Sequence, residues 1–114
     1  MKLILAIVRP FKVADIVDAV ESDPSFPGMT VLDCRGFGRE KSAPHRHSVE
    51  EDLKDFVDRS LILVAAPDDR ATAVSERIEA VARTGQPGDG KVFVLSLEQA
   101  VRIATADTGD RALR

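Results

Sequence analysis

The chain has no tryptophan and no tyrosine, and its 4% aromatic content is all phenylalanine. Stacking platforms for bases are therefore scarce, which argues against binding of single-stranded nucleic acid. An excess of positive charge is also missing. The formal net charge of -3 gives no electrostatic reason to seek DNA, RNA or an anionic membrane. A single cysteine, Cys34, excludes an internal disulfide; in its strand-like run it reads as a small buried hydrophobe. No apolar run is long enough to span a bilayer. The opening "MKLILAIVRPF" is stopped by Arg9-Pro10 and has no small-residue cleavage site, so it reads as a first strand and the protein as cytoplasmic. The sequence offers no Ser/His/Asp or Cys/His set for nucleophilic catalysis.

What is there fits one compact domain spanning residues 1–114. A chain of 114 residues can bury about two-thirds of the surface its unfolded form exposes. With so few aromatics, the core must come from Val, Ile, Leu and Ala. Lys2 to Arg9 is a short aliphatic run, hence a buried strand ended by Pro10. Val13, Ile16, Val17 and Val20 recur at helical spacing, opposite Asp15, Asp18 and Glu21. The helix stops near Ser22, before the turn cluster "DPSFPG". "MTVLDCRGF" and "RSLILVAAP" read as the second and third strands. Asp68 is the expected N-cap of a second helix, with Val74, Ile78 and Val81 on its buried face and Gly85 as its left-handed terminator. "KVFVLS" is the fourth strand, "LEQAVRIA" a turn plus a last strand, and about 106–114 a loose tail.

The order strand, helix, strand, strand, helix, strand predicts a ferredoxin-like βαββαβ α+β fold. Both helices then cover one face of a four-stranded antiparallel sheet. The strands "LILAIV" and "LILVAA" are apolar on both sides, so the bare face calls for a cover, and a second copy of the chain is the simplest one. Between the second and third strands runs a long polar stretch, "GREKSAPHRHSVEEDLKD", a length usual for functional or disordered loops.

Two glycine-rich, cationic stretches carry the chemistry. In "RTGQPGDGKVFVLS", Gly85, Gly90 and Lys91 match the spacing G-x-x-x-x-G-K of a phosphate-gripping loop. Val92 stands where such a loop has the Ser or Thr that holds magnesium, and a strand follows in place of a helix. Gly85, Gly88 and Gly90 can still bring backbone amides close to an anion, and Lys91 adds a full charge. In "RGFGREK", Gly36 and Gly38 allow a close backbone approach while Arg39 and Lys41 can meet phosphate oxygens. Each stretch also reads as a simple solvated turn. In "PHRHSVEED", His45 and His47 are candidate metal ligands, set against the plainer reading of a solvated charged loop.

The chain resembles the PII signal-transduction proteins. The resemblance rests on "AIVRPFK", on "GMTV" leading to "GFGR-K", on "PDD" before the second helix and on "RTGQPGDGKVFV", and it covers nearly the whole chain. It implies a homotrimer of ferredoxin-like subunits with an adenine nucleotide (ADP, AMP or ATP) in each cleft between neighbours. It also implies a T-loop at about 39–55 that docks on a regulated partner protein, an enzyme or a transporter, with no cofactor and no catalysis. Gly36, Phe37, Gly38 and Arg39 would line the nucleotide site with Gly88, Asp89, Gly90 and Lys91. Thr30 and Arg102 would reach in from the adjacent subunit. Arg59 falls where the family has a lysine that meets 2-oxoglutarate and phosphate.

Three departures mark a divergent member. Asp52 replaces the modifiable tyrosine of the T-loop. Glu40 replaces a glutamine, placing a carboxylate where a dicarboxylate ligand would be repelled. Ala104 replaces an arginine, which favours fewer phosphates. These point towards branches such as the carboxysome-associated type, with a small anion such as bicarbonate as co-ligand near Glu40, Lys41 and Arg59. Two alternatives stay open: a weak nucleotide-hydrolysing enzyme, with Asp89 or Glu40 positioning water or metal, and a metal-responsive trimer using His45 and His47.

Overall fold

The computed structural model describes residues 1–37 and 56–114. Gly38, Arg39, Glu40, Lys41, His45, His47 and Asp52 lie outside the described residues. The elements follow in the expected order: β1 (Lys2–Val8), a 3-10 turn (Pro10–Lys12), α1 (Val13–Glu21), β2 (Thr30–Gly36), β3 (Val57–Ala66), α2 (Asp68–Ala82), β4 (Lys91–Ser96) and a one-turn α3 (Asp110–Leu113). The strands lie in the order β2-β3-β1-β4, every neighbouring pair antiparallel. This is the ferredoxin-like α+β arrangement.

Period-two alternation divides the sheet sharply. On β1, Ile4, Ala6 and Val8 are buried; on β3, Ile62, Val64 and Ala66 are. They pack against Ile16 and Val20 of α1 and against Ala71, Val74, Ile78 and Ala82 of α2 in one cluster. Each large aliphatic side chain so buried contributes about 1.5–3 kcal/mol. Residues directly opposite in an antiparallel pair share a face, so the register assigns the other face as well. Leu5 stands against both Leu63 and Phe93, Ile7 against Leu61, Leu3 against Leu95, and Leu32 against Leu61. Among the described residues no helix covers this side: Leu32, Phe93 and Leu95 are 44%, 45% and 44% exposed. The described residues thus carry an open sheet face whose middle is built of Leu3, Leu5, Ile7, Leu32, Leu61, Leu63, Phe93 and Leu95.

Four local expectations are revised. Asp68 is not the N-cap of α2. Pro67 occupies that position, and Asp68 is the first helical residue, its carboxylate 2.9 Å from the Met1 amino group. Cys34 is half-buried, not buried, because it lies on β2, at the edge of the sheet. The last strand expected in "LEQAVRIA" is a single bridge, Val101 to Thr108. The segment 106–114, expected to be loose, carries that bridge, α3 and a hydrogen bond from Gly109 N to the Ala100 carbonyl.

Candidate functional site

Three strand ends meet at one end of the sheet: the exit of β1, the β2–β3 end where Gly36 pairs with Val57, and the entry to β4 where Lys91 pairs with Ile7. Between α2 and β4 lies the loop Arg83–Gly90. Three of its residues, Gly85, Gly88 and Gly90, have φ values of 87°, 95° and 103°, a region that side-chain-bearing residues rarely adopt. Gly90 is the most constrained. A Cβ there would stand 1.7 Å from the Ile7 carbonyl oxygen, so only glycine lets the loop lie against β1.

Asp89 organises the loop from within. Its Oδ2 accepts hydrogen bonds from the backbone N–H of Thr84 at 2.7 Å and of Gly85 at 2.9 Å. Its Oδ1 accepts from the Thr84 hydroxyl and, at 3.1 Å, from Arg9 Nε. The Gln86 N–H goes to Thr84 Oγ1 at 3.2 Å. The amides of residues 84–86 are thereby taken, so any amide grip on an anion falls to residues 88–90. Bonding to Thr84 above all, with further bonds from Gly85 and Arg9, holds the Asp89 carboxyl well below the usual carboxylate range. Both oxygens serve the loop's own shape, which leaves this carboxylate poorly placed to position a hydrolytic water.

A depressed folded-state pKa stabilises the native loop above the unfolded carboxylate value of about 3.9 and ceases to do so only as pH falls through the lower folded value. Amide exchange protection at Thr84 and Gly85, corrected for intrinsic rates, is therefore expected to stay level from pH 7 down to about 4. In Asp89→Asn it is expected to be weak throughout. A loss of protection near pH 6 in the native chain would contradict this assignment.

Cations surround the loop. Arg59, paired with Cys34 across β2–β3, lies with its Cγ 3.6 Å from where a Gly36 Cβ would sit. Its Nη2 is 3.1 Å from the corresponding point at Gly88, and Arg9 Nη2 is 3.2 Å from that same point. Arg59 Nη1 donates to its neighbour's carbonyl, Asp58 O, at 2.9 Å. Lys91 is exposed at the head of β4. The structure thus brings Gly36, Arg59, Gly88, Asp89, Gly90 and Lys91 into one neighbourhood. Phe37 adjoins it and packs against Phe56, ring centroids 5.3 Å apart and planes tilted by 45°, where the chain enters and leaves 38–55. A cleft of about 300 Å3 opens on the α2 side of the loop, between Ala82, Arg83, Gly90 and Lys91. It includes Lys91 but neither Arg9 nor Arg59.

Two expected site residues lie elsewhere. Thr30 opens β2 at the end opposite Gly36, six residues of strand and about 20 Å away. Arg102 follows β4, which runs away from the loop, and its Nη2 donates to the Arg114 carbonyl at 2.9 Å. Within one chain neither can share a small ligand with Gly88–Lys91. Arg9 is the residue that sequence reading missed. It sits at the end of β1, 80 positions from its partner Asp89, and no local pattern joins them. The only signal available was a cation placed just before a proline at the end of the first strand.

The chain is similar to known proteins over nearly its whole length. The family model described as nitrogen regulatory protein P-II matches residues 1–107. A nitrogen regulatory protein P-II of Rhodobacter capsulatus is 37% identical over 113 residues, covering 99% of this chain and 100% of that protein. One from Rhizobium meliloti is 38% identical over 109 residues, 96% of each chain. One from Porphyra purpurea is 39% identical over 113 residues, again 99% of this chain and 100% of the relative.

Proposed function

The chain belongs to the nitrogen regulatory protein P-II family, and from that premise we propose that it is a regulatory protein whose homotrimer senses adenine nucleotides in grooves shared by two protomers. The observation that carries this reading is the separation of the site into two halves. Gly36, Phe37, Arg59 and Gly88–Lys91 occupy one end of the sheet; Arg102 lies beyond the far end of β4, and Thr30, opposite Leu63, stands on β2, the edge strand across the sheet from β4. A two-fold contact presents the same patch on both partners, whereas a head-to-tail contact brings unlike ends together and closes into a ring. The exposed Leu, Ile and Phe face supplies the apolar surface that such a ring would bury.

In this reading the amides of residues 88–90 and the Lys91 ammonium meet the phosphates. Gly38 and Arg39 complete that half, and Thr30 and Arg102 of the neighbour close the groove. Ala104 in place of a second arginine supports a preference for ADP or AMP over ATP. Arg59, with its Nη2 beside Gly88, is the described group that would hold a small anion such as bicarbonate, next to Glu40 and Lys41. The segment 39–55 would carry the signal to an enzyme or transporter. Nucleotide hydrolysis is the weaker reading, because the Asp89 carboxylate is spent on the loop.

Calorimetric titration with ATP, ADP and AMP, with and without bicarbonate, tests the proposal. Micromolar binding of at least one nucleotide is expected, weakened about tenfold or more in Lys91→Gln through loss of a charge-assisted contact. No heat from any of the three would sink it.

A further inference from the structure

We propose that Arg9 is the positioning residue of the anion loop: it sets the orientation of the Gly88 amide without itself touching the ligand. This rests on the nucleotide-binding reading above for its purpose, though not for its geometry.

Arg9 leaves a rigid base. Val8 is paired with Ser60 in the sheet and fully buried, and Pro10 holds the Arg9 backbone extended, at φ -64° and ψ 136°. From there the guanidinium makes two directed contacts. Nε donates to Asp89 Oδ1 at 3.1 Å, with both side chains mostly shielded from solvent, and Nη2 donates to the Pro87 carbonyl at 2.8 Å. The second contact decides the role. In a trans peptide the C=O and the following N–H point in opposite directions, and no peptide bond among the described residues is cis. With the Pro87 carbonyl drawn towards Arg9, the Gly88 N–H is turned away from it. The anion-facing side of the 87–88 peptide is therefore the side Arg9 does not occupy.

The charge arrangement agrees. Two guanidiniums share the space beside Gly88, and like charges so close repel. Asp89 neutralises Arg9, which leaves Arg59 and Lys91 to attract the ligand. An arginine is required because two acceptors in different directions, a carboxylate and a carbonyl, need a planar fork of donors. A lysine ammonium is a point charge on a flexible stem.

Arg9→Lys and Arg9→Met separate position from charge. Three readouts apply to the full-length native protein and each variant: exchange of the Thr84 and Gly85 amides without ligand, affinity for ADP, and affinity for adenosine. Arg9→Lys is expected to behave like Arg9→Met, with exchange faster by about tenfold and ADP bound about tenfold more weakly. Adenosine affinity and thermal midpoint should stay close to wild type. An Arg9→Lys variant with native exchange and native ADP affinity would overturn the proposal, as would equal losses for ADP and adenosine. If the wild-type protein binds no ADP, the nucleotide reading fails on its own, and the exchange arm still decides whether Arg9 holds the loop.

Discussion

Gly90→Ala is expected to abolish nucleotide binding and to lower folding stability by about 3 kcal/mol or more. The added methyl would stand 1.7 Å from the Ile7 carbonyl oxygen and 2.8 Å from its carbon. Those atoms belong to the central strand β1, so neither can yield without breaking the β1–β4 register at Ile7–Lys91. A φ of 103° adds backbone strain. The loop must lift off β1, carrying the residue 88–90 amides and Lys91 with it. Gly88→Ala makes the useful contrast. Its methyl would meet only the ends of two arginine side chains, at 3.1 and 3.2 Å. These need yield by only a few tenths of an ångström, so the main cost is the strain of a positive φ, on the order of 1–2 kcal/mol. Chemical denaturation with ADP calorimetry checks both. Equal stability losses in the two variants would contradict the close approach of Gly90 to β1.

Leu63→Asp is expected to produce a folded monomer. Leu63 lies on β3 opposite Leu5 on one side and Thr30 on the other, near the middle of the open sheet face. In a single chain this face meets solvent, so a carboxylate there should be tolerated. Against a neighbour's apolar surface the same carboxylate is buried without a partner, a penalty on the order of 4 kcal/mol or more for each protomer. Association would weaken by about a thousandfold. Nucleotide binding should disappear with the oligomer although every group of the Gly88–Lys91 half is intact. Light scattering separates this from unfolding, and circular dichroism should remain native. An oligomer of unchanged mass would show that the Leu63 face is not the contact.

Much of this could be read from the residues alone. The 3.6-residue spacing of Val13, Ile16 and Val20 and the unbroken aliphatic runs around Ile4 and Ile62 are strong local signals, and helix and strand order followed from them. The two-sided apolarity of "LILAIV" announced the uncovered face before the register located it. Loop chemistry was less legible, for a physical reason. Asp89 between two glycines looks the same whether its carboxylate points out at a ligand or back at Thr84, and here it points back. Asp68 has the residue type of a helix cap, but the Met1 amino group claims its carboxylate. Arg9 meets Asp89 only because antiparallel pairing brings the start of β4 to the end of β1, a contact no short window contains. The segment 106–114 has few apolar residues to announce structure; its order comes from the Val101–Thr108 bridge and backbone bonds.

Native mass spectrometry of the intact protein with increasing ADP tests the shared groove most directly. The separation of two half-sites on one chain predicts a three-copy particle that takes up to three ADP molecules, while any dissociated single chain carries none. A single chain that binds ADP by itself, or a three-copy particle that never does, would contradict it.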